Sequence, residues 1–387
     1  MGTAPRVAPR RKAQAFVVPL IAVILGALGT LIGMLVVLDR PPVASFLSVS
    51  VFSLVALLGV WFLTWLDRWE PEPPLFTVGA FLWGAGVSAL ISGIVNTVYL
   101  AATGDMEATA MYSAPFIEET TKALFLVLVL LTSRRGRAEF NSLTDAIVYG
   151  GMVGLGFSWI ENIGYALQPG TVGESLQMIV VRLLLVAFLH PMLTIVVSIG
   201  IWLGLNVRGA MRIVFPFAFW CLAVALHFLH NASTTLFGGS GFLMTAGIEV
   251  LLFTGLIVIG VSSRNWERAT VREQLPVMVH LGWLTPFEAG WLADLGARKA
   301  VLAEAGPARA QLTGFVQNTT ELALLRGRLG RDRSGQPPSE WLQLHRELVG
   351  LIIAQRGEVD RALGPSPSWR PVAGRPGDNF GTYPHRS

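Results

Sequence analysis

The sequence predicts an all-α fold: a polytopic membrane bundle of about eight transmembrane helices with a small helical cytoplasmic extension at its C-terminal end. Three observations carry this. Only 14% of the 387 residues are charged and 52% are hydrophobic, whereas soluble globular chains carry about 25% charged residues. Apolar runs of bilayer-spanning length, about 20 residues, recur eight times before residue 263. Beyond that point the composition becomes polar and helical in pattern.

The elements follow in order. Residues 1–14 form a basic cytoplasmic arm with Arg6, Arg10, Arg11 and Lys12. The run at 15–38 is too long for a signal-peptide core and reads as a retained first span. Further runs lie at 43–66, 75–102, 112–132, 143–167, 176–206, 213–236 and 241–263. The sixth is long enough to be tilted or partly interfacial. Together 15–263 form the membrane domain, and 264–363 the helical extension. In that extension Thr285-Pro286-Phe287-Glu288 matches a capping box with proline at the first helical position. Helical patterns run over 286–304, 308–329 and 339–363, the last with an apolar stripe of Trp341, Leu344, Leu348, Leu351 and Ile352. The Pro-, Gly- and Ser-rich tail 364–387 is expected to be disordered.

Loop charge sets the orientation. With eight spans the N-terminal arm, Arg134, Arg135 and Arg137, Arg208 and Arg212, and Arg264, Arg268 and Arg272 all fall on one side. Both termini are therefore expected in the cytoplasm. The loop Asp67–Pro74 on that side is net acidic, but acidic residues contribute little to the rule. The pI of 9.6 is loop charge. No basic stripe interleaved with aromatics occurs, so nucleic acid is not an expected partner; the lipid bilayer is. A single cysteine, Cys221, excludes an internal disulfide and any Cys-based zinc site.

The chemistry lies in polar groups set inside apolar runs. Glu118, Glu119 and Lys122 interrupt the fourth run. An intramembrane charge costs roughly 2.5–3.5 kcal/mol on insertion scales and normally faces a bundle interior or wet cavity. Glu118 and Lys122 are four apart and share a helical face. Glu161 and Asn162 in the fifth run, His190 near the middle of the sixth, and His227, His230 and Asn231 in the seventh fall at matching depth, in the outer half or centre. Structural polar residues would have no reason to coincide there. Taken singly, each has a plainer reading: an ion pair, interhelical hydrogen bonding, a packed histidine. Pro191 loosens the backbone beside His190. Gly150, Gly151, Gly154 and Gly156 are explained by close helix packing. Glu249 in the eighth run stands alone as a weaker candidate.

Two uses suit this set. Glu118 or Glu119 can act as general base on a water, with a histidine and Asn231 stabilising the oxyanion or protonating the leaving amine. Alternatively His190, His227 and a glutamate, Glu161, hold Zn²⁺ while Glu118 serves as base. No HExxH signature is present.

These residues resemble the PrsW-type intramembrane proteases, distant relatives of the CAAX-processing and bacteriocin-processing enzymes. Glu118-Glu119-Thr120-Thr121-Lys122 matches that family's EExxK, and Phe157 to Asn162 its FxxxEN. Arg182 followed by His190 and Thr194 is similar to its histidine-bearing motif, and His227 to Asn231 to its last motif, with His230 as an extra histidine. The Asp67–Pro73 loop and the Asp145–Gly156 segment are similar too. The resemblance covers about residues 60–240 and implies hydrolysis of membrane-anchored proteins, such as anti-sigma-factor-type regulators, at a bacterial plasma membrane. It implies catalytic roles for Glu118, Glu119, Lys122, Glu161, Asn162, His190, His227 and Asn231, with or without a metal. The competing readings are a proton-coupled transporter and a non-catalytic scaffold. A transporter usually shows an inverted repeat, and none is visible; a scaffold would be favoured by a missing glutamate or histidine.

Overall fold

The computed structural model describes residues 17–132, 140–331 and 339–363. The expected arm at 1–14 and tail at 364–387 lie outside them. Among the described residues every regular element is helical. The chain divides into two compact units, Met1–Asp67 with Glu72–Val261, and Arg68–Pro71 with Ser262–Ser387.

In the first unit, α1 (Val17–Leu38) and α2 (Pro42–Leu66) are followed by α3 (Pro74–Leu82). A π-helical turn, Trp83–Ser88, joins α3 to α4 (Ala89–Thr103). After α5 (Met106–Ala108), a second π turn, Thr109–Ser113, leads into α6 (Ala114–Thr132). The remaining helices are α7 (Leu143–Ala166), α8 (Val172–Leu185), α9 (Leu189–Leu205) and α10 (Met211–His280), the last kinked at Gly238, whose φ is 60°, with its part from Ser262 on belonging to the second unit. The described parts of all eight apolar runs are thus helical, the sixth with a break. Six helices among the described residues are long and apolar enough to cross a membrane; α1 has a shorter apolar stretch, Pro19–Leu35, and α6 carries the three charges.

Helix α7 is the centre of this unit, buried along nearly its whole length against α2, α3 and α9. Its glycines explain how. A Cβ on Gly154 would stand 2.6 Å from the His190 carbonyl oxygen, and one on Gly84 of the first π turn would fall on the Val153 carbonyl oxygen. Small residues let backbones approach closely where side chains cannot interdigitate. The start of α7 is secured by a capping box between Ser142 and Asp145.

The sixth run departs from the single tilted span expected for it. It is broken at residues 186–188 into α8 and α9. Pro191 is the reason: proline is tolerated in the first turn of a helix, where its missing N–H has no partner to lose, and not in the interior. It occupies the first turn of α9, so His190 stands at a helix start within the bundle. Ser158 Oγ donates to the freed Ala187 carbonyl at 2.9 Å, which is how irregular backbone is accommodated inside a membrane protein.

The second unit contains α11 (Pro286–Leu292), α12 (Leu295–Glu304), a short 3₁₀ turn, α13 (Arg309–Leu329) and α14 (Ser339–Leu363). Its core gathers Trp69, Leu275, Trp291, Phe315, Leu348 and Ile352. The Thr285–Glu288 capping box forms as the spacing predicts. On α14, Leu348 and Ile352 are buried, whereas Leu351 is 40% exposed and lies off the stripe. The expected boundary at 263/264 falls inside α10, because a change of polarity need not break a helix.

Candidate active site

The site is assembled from five helices, α6 to α10. On α6, Glu118, Glu119 and Lys122 are all buried. The turn before them is π-helical, and the hydroxyl of Thr121 meets those of Ser88 and Ser92 at 2.7 and 3.1 Å. The Trp83 indole donates to the Thr121 carbonyl at 2.9 Å. These contacts fix the rotation of α6, and hence which way its charges point.

Lys122 Nζ donates to Glu119 Oε1 at 2.6 Å and to His190 Nδ1 at 3.0 Å. An ammonium has no acceptor, so His190 carries its proton on Nε2, which donates to Glu161 Oε2 at 2.6 Å. Arg182 closes the other side of Glu161, with Nη2 at 2.9 Å, and its Nε donates to Asn162 Oδ1 at 2.5 Å. Asn162 in turn donates to Ser158 Oγ. The His227 and His190 rings stand edge to face, 5.2 Å between centroids. His227 Nδ1 donates to Glu119 Oε1 at 2.9 Å, leaving the Nε2 lone pair facing Glu118 Oε2 at 3.9 Å. That Glu118 oxygen is buried and has no hydrogen-bond partner.

Seven of the eight sequence-predicted residues therefore form one cluster: Glu118, Glu119, Lys122, Glu161, Asn162, His190 and His227. Asn231 is not among them; its amide donates to the Ala110 carbonyl in the second π turn. His230 turns to Glu249, 2.5 Å away, so of the two neighbouring histidines it is His227 that faces the glutamate pair.

The ligand set also differs from the expected Glu161, His190 and His227. The atoms that converge are from Glu118, His190 and His227, all within 4.8 Å of one another. Glu161 is drawn instead to Arg182, an intramembrane cation that has to be neutralised. Two imidazoles and a carboxylate are a known catalytic donor set, and the Glu119–His227 hydrogen bond is of the kind that orients a ligating imidazole. Glu118 Oε2 and His227 Nε2 are free to ligate; His190 offers a lone pair once one of its two hydrogen bonds is given up. With that rearrangement the residues fit a divalent ion.

Glu118 and Glu161 line a cavity of about 750 Å³ walled by α1, α4, both π turns, α6 and α7. Sequence reasoning left Arg182, Ser158 and Tyr165 out of the site. Arg182 was findable, since a cation in an apolar run must have an acidic partner; Tyr165 carried only its i+4 spacing from Glu161.

Residues 72–263 match the family model described as PrsW family intramembrane metalloprotease. This segment belongs to the PrsW family. The chain is 37% identical to Protease PrsW of Geobacillus kaustophilus over 130 residues, 33% of this chain and 54% of that one. It is 28% identical to Protease PrsW of Bacillus subtilis over 154 residues, 39% of this chain and 63% of the relative. To Protease PrsW of Clostridioides difficile it is 28% identical over 113 residues, 28% and 46% of the two chains. The chain thus spans about half to just under two thirds of the length of these curated relatives. No solved structure matches it. The PrsW-family match holds every residue of the cluster and ends at 263, so α11 to α14 lie beyond it.

Proposed function

We propose that the chain is an intramembrane endopeptidase that hydrolyses membrane-anchored proteins, among them regulators of the anti-sigma-factor type, at a bacterial plasma membrane with both its termini in the cytoplasm. The observation that carries this is the unpartnered Glu118 carboxylate oxygen, buried on the wall of a cavity and facing the His227 Nε2 lone pair at 3.9 Å. A water between those two acceptors has a base for one proton and an acceptor for the other.

Glu118 is the general base. It takes a proton from the water as the oxygen bonds to the scissile carbonyl carbon and the carbonyl π electrons move to oxygen. When the tetrahedral intermediate collapses, the C–N bond breaks and Glu118 returns the proton to the leaving nitrogen. Glu119, held by Lys122, keeps His227 in the Nδ1–H tautomer with Nε2 directed at the reaction centre. Lys122 and Glu161 hold His190 between them. Arg182 neutralises Glu161, and Asn162 steadies Arg182.

With Zn²⁺ bound, Glu118, His190 and His227 would be the residues that hold it, Glu118 then serving as a ligand and not as the free base, while the ion would polarise a carbonyl and acidify water. The direct test is Glu118→Gln, which keeps size and burial. Membrane proteomes of cells carrying the wild type and Glu118→Gln should differ in the abundance of cleaved membrane proteins, which would also identify the substrate. Identical proteomes, with the variant folded and inserted, would sink the protease reading. Substrate-dependent proton flux in sealed vesicles would point to a carrier instead.

A further inference from the structure

Peptide hydrolysis needs a hydrogen-bond donor aimed at the oxygen on which negative charge develops. Most donors of the buried cluster are already engaged. Lys122 serves Glu119 and His190. Arg182 Nε and Nη2 serve Asn162 and Glu161. The Asn162 amide donates to Ser158 Oγ, His190 Nε2–H to Glu161 and His227 Nδ1–H to Glu119. Asn231, which the sequence offered for this task, is bonded to Ala110.

The hydroxyls on the cavity wall are mostly committed as well. Thr97 and Thr109 donate to the carbonyls of Gly93 and Asp105, and Ser92 pairs with Thr121. Tyr165 is different. It lies four residues after Glu161 on α7, hence on the same face, and lines the same cavity as Glu118 and Glu161. Both carboxylates are within electrostatic reach of its phenol. Its ring is held by the Arg182 guanidinium, 4.1 Å from Cζ to the ring centroid, a cation–π contact. Yet its hydroxyl bonds to no protein group among the described residues. The side chain is 39% exposed. Gln168 also lines the cavity with its amide uncommitted, but it lies nearly two turns from Glu161, beyond the end of α7.

We propose that Tyr165 is a further catalytic residue, whose hydroxyl donates a hydrogen bond to the scissile carbonyl oxygen as the tetrahedral intermediate forms. This rests on the protease reading of the cavity. The phenol keeps its proton throughout; water supplies the attacking oxygen, and Glu118 carries the transferred proton from water to the leaving amine. Arg182 thereby has two tasks: it neutralises Glu161 and holds the ring in place, so that the donor is oriented before charge develops.

The test uses the purified full-length chain in detergent with a mixed-sequence library of quenched fluorogenic peptides. The site-dependent rate is the difference between wild type and Glu118→Gln. Tyr165→Phe removes the hydroxyl and keeps the ring that Arg182 covers. It should lower kcat about 100-fold, as loss of one oxyanion donor does, with KM changed less than threefold and the thermal unfolding midpoint unchanged. Tyr165→Phe turning over like the wild type would overturn the proposal while leaving the protease reading standing, and so would a comparable kcat loss from Gln168→Ala with Tyr165→Phe silent. A wild type no faster than Glu118→Gln would remove both.

Discussion

Buried carboxylates occur in both units, and their settings differ in kind. Glu288 of the second unit sits three residues into α11, where the backbone has donors to spare. Its Oε2 accepts from the Thr285 N–H at 2.6 Å and from Arg356 at 2.7 Å, and Arg356 also donates to the Trp283 carbonyl. Glu118, Glu119 and Glu161 sit in helix interiors, where every backbone N–H is used by the helix itself. They can be satisfied only by side chains, Glu119 by Lys122 of its own helix and by His227, Glu161 by Arg182 and His190; the Glu118 carboxylate accepts no hydrogen bond among the described residues, and its Oε2 is buried. A carboxylate at a helix start is explained by the helix it caps. A carboxylate in mid-helix, short of partners and on a cavity wall, calls for a substrate, a water or an ion. That difference is what separates an architectural ion pair from a site.

The sharpest way to break the comparison is to remove each carboxylate's charge. Glu118→Gln should cut cleavage about 1,000-fold or more, within the range expected for a general base, and leave the unfolding midpoint within a few degrees of wild type. Glu288→Gln should do the opposite. Leaving Arg356 without its partner should cost about 3 kcal/mol, seen in denaturant unfolding, while the cleavage rate per folded molecule stays the same. Equal effects of the two variants on both readouts would erase the distinction.

Arg182→Ala tests whether the first unit's cluster is held by charge balance. Glu161 would keep only His190, and we expect cleavage to fall at least 100-fold, with insertion retained. Arg182→Lys should recover only part of the loss, because one ammonium cannot reproduce the guanidinium's separate bonds to Glu161 and Asn162. Chelation sharpens the same region. Protein treated with a strong zinc chelator should lose cleavage at least tenfold and regain it with Zn²⁺. Full activity in protein shown by elemental analysis to be metal-free would leave hydrolysis to the carboxylate and imidazoles alone.

The smallest expected effect belongs to the second unit. His345 on α14 is buried beside Trp283, 5.5 Å between ring centroids, and near Arg326. Burial first, then the Arg326 and Arg346 charges, brings its pKa down to about 4 from an ordinary 6.5. The unfolded chain therefore binds more protons than the folded one between those values. Stability from this group is complete above about pH 6.5 and falls away toward pH 4, by on the order of 2–3 kcal/mol. Denaturant unfolding followed by tryptophan fluorescence at pH 7 and pH 5 should show the loss, and His345→Gln should flatten it. An unchanged pH dependence in that variant would assign the effect to other groups.

Much of this molecule was legible before any coordinates. Charge scarcity and run length determine a membrane bundle, because a bilayer admits only segments that satisfy their own backbone. Glu118, Glu119, Lys122, Glu161 and His190 stand out by their cost in an apolar setting, and the Thr285–Glu288 cap follows from spacing alone. Tertiary structure decided what depends on rotation about helix axes and on neighbours distant in the chain. It divided the sixth run just ahead of Pro191, turned His227 inward and His230 toward Glu249, and sent Asn231 to Ala110. It also gave Glu161 to Arg182 and left Glu118 in its place beside the two histidines. Local sequence carries the price of burying a polar group, but the identity of its partner is set by which helix faces meet, and that is a property of the whole packing.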